Sequence, residues 1–170
     1  MMNRSQRAVF ACIAAVWAVA PAPAASEGLW SRKIITPETA LKAAQAALAE
    51  CRKNGWQAAV TVGDPAGLPL VTLRDRYAGW HTLEASAGKA RTAASWRDST
   101  SSVLTRVLRP DAPERAIANL PGVVMVGGGL PMEAGGSIVG VIGVSGAPGG
   151  EADDVCGKAG IDAIRTELEF

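Results

Sequence analysis

The stretch WQAAVTVGDPAGLPLVTLRDR, residues 56–76, determines the class of fold that this sequence can adopt. Two runs rich in β-forming residues, at about 57–63 and 69–74, flank the turn sequence DPAG at residues 64–67. Short strands joined by such a turn predict a β-hairpin. Because the strands of a hairpin are antiparallel, the sheet that contains them is predicted to be antiparallel.

Helical patterns lie on both sides of this hairpin in the sequence. In residues 36–55, Thr36 suits an N-cap and Pro37 suits the first turn of a helix. An apolar stripe at helical spacing follows there, consisting of Ala40, Leu41, Ala44, Ala47, Leu48 and Cys51. A second helix is predicted from about Thr82 to Arg97, and its inward-facing candidates are Leu83, Ala87, Ala90, Ala94 and Trp96.

The second half of the chain repeats this alternation of helices and strands. Residues 99–122 predict two short helical pieces broken at Pro110, and residues 123–146 predict three short strands separated by glycine-rich turns. Residues 151–170 predict a terminal helix with acidic residues in its first turn. The order helix, hairpin, helix pair, strand meander, helix predicts one α+β domain whose antiparallel sheet is covered by helices.

The first 24 residues have the layout of a secretory signal peptide. Arg4 and Arg7 precede an uncharged apolar run over residues 8–20, and Ala22 and Ala24 fit the A-x-A cleavage pattern. An uncleaved membrane anchor is the alternative, although the run is short for a transmembrane span. We therefore expect a tether at residues 25–35, a single domain at 36–170, export to the periplasm or the extracellular space, and no stable membrane insertion after cleavage.

The charge and the cysteine content limit the kinds of ligand that the protein is expected to bind. The chain has 17 basic and 16 acidic residues, so loss of Arg4 and Arg7 leaves a balance near −1 and no basic excess for nucleic acid. Cys51 and Cys156 remain after cleavage, and they are predicted either to form a disulfide or to pack as two free thiols. The sequence has no C-x-x-C pair, so a zinc site is not expected.

His81 is the only histidine in the chain, and it follows the pair Gly79-Trp80. A serine triad is not expected, since no G-x-S-x-G elbow accompanies any serine. Neutral imidazole and phenolate both ligate haem iron, which makes His81 and Tyr77 candidate metal ligands. Trp80 and Thr82 flank His81 as further cofactor-contact candidates. The cations available for haem propionates are Arg91 and, less directly, Arg74, Arg76 and Lys89. A surface or helix-capping histidine is the alternative.

Three consecutive glycines, Gly127, Gly128 and Gly129, are a further binding candidate. A glycine run allows the backbone to approach a ligand or a neighbouring chain closely. The alternative is a tight connection between strands, which also requires glycine.

Several stretches of the sequence resemble one known family. The most specific are KARTA at residues 89–93, GVIGVSG at 140–146 and the pattern D-x-x-C-x-x-A-G-I at 153–161. Together they are similar to the GlcG/HbpS-like haem-binding proteins, which are related to the C-terminal domain of PduO-type proteins, and the resemblance covers about residues 36–166. It implies a five-stranded antiparallel sheet with helices on both faces, homo-oligomerisation and, in several members, haem binding. The stretch GWHT at residues 79–82 resembles the subset of the family that has a histidine just before the second helix, and this resemblance makes His81 the best ligand candidate.

These observations predict an exported, oligomeric, non-catalytic haem-binding protein that stores, carries or senses haem. The alternatives are a binding module for another small ligand, such as a corrinoid or an organic acid, and a haem-degrading accessory enzyme. No residue independently supports turnover.

Overall fold

The hairpin predicted at residues 56–76 is present in the computed structural model, which describes residue 28 and residues 30–169. Strands β1 (Ala59–Gly63) and β2 (Pro69–Arg74) pair antiparallel. The Asp64 carboxylate holds the turn between them, since its Oδ1 accepts hydrogen bonds from the backbone amides of Ala66 and Leu68 at 2.8 and 3.0 Å. The predicted hairpin is therefore confirmed.

The sheet has four strands among the described residues, in the order β2-β1-β4-β3. Strands β3 (Gly129–Ala134) and β4 (Ser137–Ser145) form a second antiparallel hairpin, and β4 also pairs with β1. The α-helices are α1 (Pro37–Lys53), α2 (His81–Trp96), α3 (Thr100–Val107) and α4 (Gly150–Asp162), with 3₁₀ turns at Pro113–Asn119 and Arg165–Glu167.

The expected fifth strand is absent from the described part of the chain, so that expectation was wrong. Residues 123–126, the first strand predicted from the glycine-rich region, are irregular. The backbone amide of Val124 donates to Thr92 Oγ1 of α2 at 2.9 Å. This segment is therefore fixed by a helix side chain in place of a neighbouring strand. The α+β class and the antiparallel sheet are as predicted.

Helices cover both faces of the sheet. Helices α1 and α4 enclose the larger core with inward residues of the strands, including Val60, Ile142 and Val144, while Ala90 and Ala94 of α2 pack on Val141 from the opposite face. Helix α2 crosses β4 closely, since a Cβ added at Gly143 would lie 2.0 Å from the carbonyl oxygen of Ser86. Only glycine permits this approach, and it brings the α2 backbone onto the sheet.

Helix α1 begins as predicted, because Thr36 Oγ1 accepts a hydrogen bond from the Thr39 amide at 3.2 Å. One position in its apolar stripe was wrong: Leu41 is exposed, and Ala43 is buried in its place. Cys51 of α1 is joined to Cys156 of α4 by a disulfide, which resolves the two alternatives for these residues. The disulfide ties together the two helices on one face of the sheet.

The inward face of α2 differs from the prediction. Ala90 and Ala94 are buried, but Leu83 is exposed and Ala87 and Trp96 are half-buried. The buried residues of α2 include polar side chains that a pattern of apolar residues does not detect, namely Thr82, Ser86, Lys89 and Thr92. Helix α2 therefore turns part of its apolar surface away from the sheet.

Residues 32–169 form one compact unit. The predicted signal peptide at residues 1–24 lies outside the described residues. Within the part of the chain that is described, no helix combines the length and the apolar character needed to cross a bilayer.

Candidate functional site

An open groove of about 670 Å³ runs along the outer side of α2. Its volume lies within the range of about 300–1,000 Å³ that is common for small-molecule sites. Residues of α2 form one side, β2 supplies Thr72, and the segment after the 3₁₀ turn at Pro113–Asn119 supplies Gly122 and Val124. The α2 residues are His81, Leu83, Glu84, Ala85, Ala87, Gly88 and Arg91. We call this surface the α2 groove.

His81 is the first residue of α2, and its side chain is exposed on the α2 groove. Its imidazole contacts Trp80 edge-on, with the ring centroids 6.0 Å apart, and among the described residues it makes no hydrogen bond or ion pair. Both ring nitrogens of His81 are therefore accessible on the groove and have no partner among the described residues.

Arg91 lies ten residues after His81 and lines the same groove. Its side chain is exposed and has no carboxylate or hydrogen-bond partner in the described part of the chain. The side chains at positions 81, 84, 88 and 91 follow one another at helical spacing, so they share one face of α2. The groove therefore places a cation at one end and an imidazole at the other, with the carboxylate of Glu84 between them.

Sequence reasoning did not identify the residues that form the walls of the α2 groove, although the helical spacing of one wall is visible in the sequence. The helical pattern predicts Leu83 and Ala87 in the core, but both line the groove with Val124. A stripe drawn from His81 at intervals of three, four and three residues reaches Glu84, Gly88 and Arg91. That spacing could have identified one wall, whereas the position of Val124 depends on a distant loop.

Tyr77, Trp80 and Thr82 do not line the α2 groove. Tyr77 is 79% exposed and lines a different pocket, and Trp80 is 76% exposed beside His81. Thr82 is buried, and its hydroxyl donates to the carbonyl oxygen of Gly79 at 2.6 Å. This bond shapes the turn that enters α2. A direct ligand contact by any of the three stays a prediction.

Gly127, Gly128 and Gly129 are buried and are not part of the α2 groove. Gly128 has a φ of +112°, and a Cβ there would lie 2.5 Å from the Val144 carbonyl oxygen. The Gly128 amide donates to Asp154 Oδ1 at 2.6 Å, and the Gly129 amide donates to Thr100 Oγ1 at 2.9 Å. These two amides already have partners inside the protein, as expected if the three glycines form a tight connection that leads into a strand. A ligand contact by the three glycines stays a prediction.

A buried ion pair lies on the inner face of α2. Lys89 Nζ donates to Asp153 Oδ2 at 2.6 Å and to the Val144 carbonyl oxygen at 2.9 Å. Each side chain is only 4% exposed. Burial raises the pKa of Asp153, while the hydrogen bond and the charge of Lys89 act in the opposite direction. The Ala147 amide also donates to Asp153 Oδ1 at 3.0 Å. This pair is fully enclosed and fixes α2 to the start of α4.

No group of three or more His, Cys, Asp or Glu side chains in the described residues is arranged to hold a bare metal ion. A metal bound at the α2 groove would therefore need most of its ligands from a cofactor or from a second molecule. A porphyrin, which supplies four nitrogens itself, meets this condition with one protein ligand.

The architecture defines a single α+β domain with helices on both faces of an antiparallel sheet and an open groove along one helix. A family model described as "Haem degrading protein HbpS-like" matches residues 35–162, and the chain belongs to this HbpS-like family. This agrees with the resemblance seen in the sequence.

Solved structures give the same relationship. A double mutant of HbpS from Streptomyces reticuli is 37% identical, with a TM-score of 0.75, over 86% of this chain and 98% of that one. A structure described as a PduOC:heme complex is 26% identical, with a TM-score of 0.72, over 77% and 95%. The Klebsiella pneumoniae protein ORFY shares the fold at 22% identity, with a TM-score of 0.76, over 84% and 98%. No curated protein sequence matches the chain.

Proposed function

We propose that this protein binds haem in the α2 groove and that His81 is the protein ligand to the iron. The observation that carries the proposal is the exposed imidazole of His81, which has no partner among the described residues and lies on the same groove as the equally unpartnered guanidinium of Arg91. An imidazole nitrogen is a common axial ligand of haem iron.

The other residues of the groove suit the rest of a haem molecule. Leu83, Ala87 and Val124 supply an apolar wall for the macrocycle. Arg91 supplies a guanidinium for a propionate, a pairing that the fork geometry of arginine favours. Glu84 is the one carboxylate of the groove, and it lies one helical turn from the imidazole. We expect the propionates to be directed toward Arg91 and away from Glu84.

The family membership also supports haem as the bound molecule. The matched family carries haem in its description, and the similar PduOC structure is a complex with heme. When bound, haem would supply the redox-active iron and the visible absorbance. The protein's own residues would bind, orient and shield it.

A hemin titration followed by absorbance tests the proposal. The wild-type protein should shift the Soret band with saturation, and His81→Ala should weaken binding and change the band position. Added imidazole should restore the wild-type spectrum of His81→Ala, because it replaces the lost ligand at the iron. Wild-type protein that leaves the hemin spectrum unchanged, or a His81→Ala variant with the wild-type spectrum, would contradict the assignment.

We further propose that the protein is exported, forms a homo-oligomer and stores, carries or senses haem without degrading it. The disulfide between Cys51 and Cys156 supports export, because disulfides persist mainly in oxidising compartments. Homo-oligomerisation is what the family resemblance implies, and because the sequence has a single histidine, a site with two histidine ligands would require two subunits. Light scattering with and without hemin measures the subunit number.

Storage and degradation are separated by adding a reductant to the hemin-loaded protein in air. A Soret band that persists supports binding without turnover, whereas its loss together with release of iron indicates degradation. A corrinoid or another co-purified small ligand without porphyrin absorbance would favour the alternative binding module.

A further inference from the structure

A second concavity, of about 630 Å³, lies at the end of β2 and shares no lining residue with the α2 groove. Its lining combines three arginines with one carboxylate, one amide and one aromatic ring: Arg52, Gln57, Arg74, Asp75, Arg76 and Tyr77. We call it the arginine pocket. Nothing in the proposed haem site uses it.

Two of the lining residues of the arginine pocket, Arg52 and Asp75, form an ion pair. Asp75 is buried, and its Oδ1 accepts hydrogen bonds from Nε and Nη2 of Arg52. The backbone amide of Ala58 approaches Asp75 Oδ2 at 3.5 Å. The charge of Asp75 is therefore matched by Arg52, and the pair connects the last turn of α1 to the loop after β2.

Arg74 and Arg76 add two positive charges that no carboxylate balances. In the described part of the chain, neither forms an ion pair. One Nη of Arg74 donates to the carbonyl oxygen of Ala78, which orients the guanidinium and leaves its other nitrogens available. The lining of the pocket therefore carries a net charge of about +2 at neutral pH, because arginine stays protonated in proteins.

Tyr77 adds a flat surface beside these charges. Its ring is 79% exposed, and the guanidinium carbon of Arg76 lies 5.9 Å from the ring centroid. A large aromatic side chain left in water next to unpaired cations offers stacking area together with charge. The two properties together favour a ligand with an anionic group on a flat ring.

We infer that the arginine pocket binds a small aromatic carboxylate. The carboxylate is held by the guanidinium forks of Arg74 and Arg76, and the ring of the ligand stacks on Tyr77. Guanidinium groups match the planar geometry of a carboxylate in a bidentate manner, which lysine does not. A phosphate ester could satisfy the same charges, so the experiment separates these two sources of the anion.

The test is an NMR titration of the full chain with benzoate, with inorganic phosphate and with sodium chloride at matched ionic strength. Benzoate should shift resonances of residues 74–78 with saturation, and chloride should not. Arg74→Gln and Arg76→Gln should each weaken benzoate binding by about tenfold, the size expected for a charge-assisted hydrogen bond. Arg109→Gln, an exposed arginine outside the pocket, should leave benzoate affinity unchanged.

Tyr77 variants test the stacking separately. Tyr77→Phe should retain benzoate affinity, and Tyr77→Ala should lower it by about two- to tenfold, the range of an aromatic pair. Saturable shifts with phosphate that are stronger than those with benzoate would overturn the aromatic carboxylate. Benzoate-induced shifts that persist unchanged in both Arg74→Gln and Arg76→Gln would rule out the arginine pocket as the binding site.

Competition with hemin separates this inference from the haem proposal. Benzoate binding at residues 74–78 should be unaffected when hemin is bound, and His81→Ala should leave it unchanged. If hemin displaces benzoate and the displacement requires Arg74, the arginine pocket belongs to the haem site, and an independent anion site is ruled out.

Discussion

The two faces of helix α2 differ in whether their polar side chains have partners. On the inner face, Ser86 Oγ is hydrogen-bonded to Thr61 Oγ1 at 2.9 Å, and Lys89 binds Asp153 at 2.6 Å. On the outer face, His81 and Arg91 make no hydrogen bond or ion pair among the described residues. Polar groups that must be buried are paired, whereas those on the groove are left available.

The inner face of α2 therefore serves the stability of the fold, and its outer face is available for ligand binding. A buried lysine can be tolerated only with a fixed counter-charge, so Lys89 holds α2 against the sheet and α4. A cation exposed on a concave surface costs little and can bind an anion. Variants of the inner face should therefore change stability, and variants of the outer face should change ligand binding.

The largest effect is expected from Lys89→Met, which leaves the buried carboxylate of Asp153 without its counter-charge. The free energy of unfolding should fall by about 3–5 kcal/mol at neutral pH, as for other broken buried pairs. Urea unfolding followed by circular dichroism measures this change. Lys158→Met, which removes an exposed lysine of α4, is the matched control and should shift the free energy of unfolding by less than about 0.5 kcal/mol.

The same variant should recover stability at acidic pH. Burial already raises the pKa of Asp153, and Lys89 opposes that rise, so the pKa in Lys89→Met should be higher still. A raised carboxyl pKa means that the folded state binds the proton more tightly than the unfolded chain. The stability of the variant should therefore decrease as pH rises through that folded-state pKa, and the gap to wild type should narrow under acid. A gap independent of pH would contradict the role of the uncompensated carboxylate.

The second effect concerns the disulfide, which lies on the sheet face opposite to α2. The double variant Cys51→Ala, Cys156→Ala should lose about 2–5 kcal/mol of stability, the usual cost of removing a native disulfide. The cysteines are buried between α1 and α4, so hemin affinity of the folded double variant should equal that of wild type. Reduced wild-type protein provides the comparison for unfolding. A hemin affinity that falls with the disulfide would show that the two faces are coupled.

The sequence predicted those parts of the fold that depend on neighbouring residues. The turn at Asp64 and the cap at Thr36 are local, and both occur as expected. The inner face of α2 could not be predicted, since the burial of Lys89 depends on Asp153, which lies 64 residues later. Residues 123–126 have the composition of a strand, but a side chain of α2 takes the amide of Val124.

Only part of the α2 groove could be predicted from the sequence, because its lining also depends on segments that are far apart in the chain. His81 and Arg91 were identified by their chemistry, and they share one groove. Tyr77 is near His81 in sequence, yet the two residues line different pockets. Closeness along a loop does not fix the direction of side chains, whereas helical spacing does.

The smallest effect on the fold, and the sharpest test of the two faces, is expected from Arg91→Gln. Arg91 has no partner among the described residues, so its loss should change the free energy of unfolding by less than about 0.5 kcal/mol. Hemin affinity should fall by about tenfold, because a charge-assisted bond to a propionate is lost. Esterified hemin, which lacks the carboxylates, should bind wild type and Arg91→Gln equally. If the variant weakened both forms of hemin alike, Arg91 would act through packing along α2, and the outer face would share the structural role of the inner one.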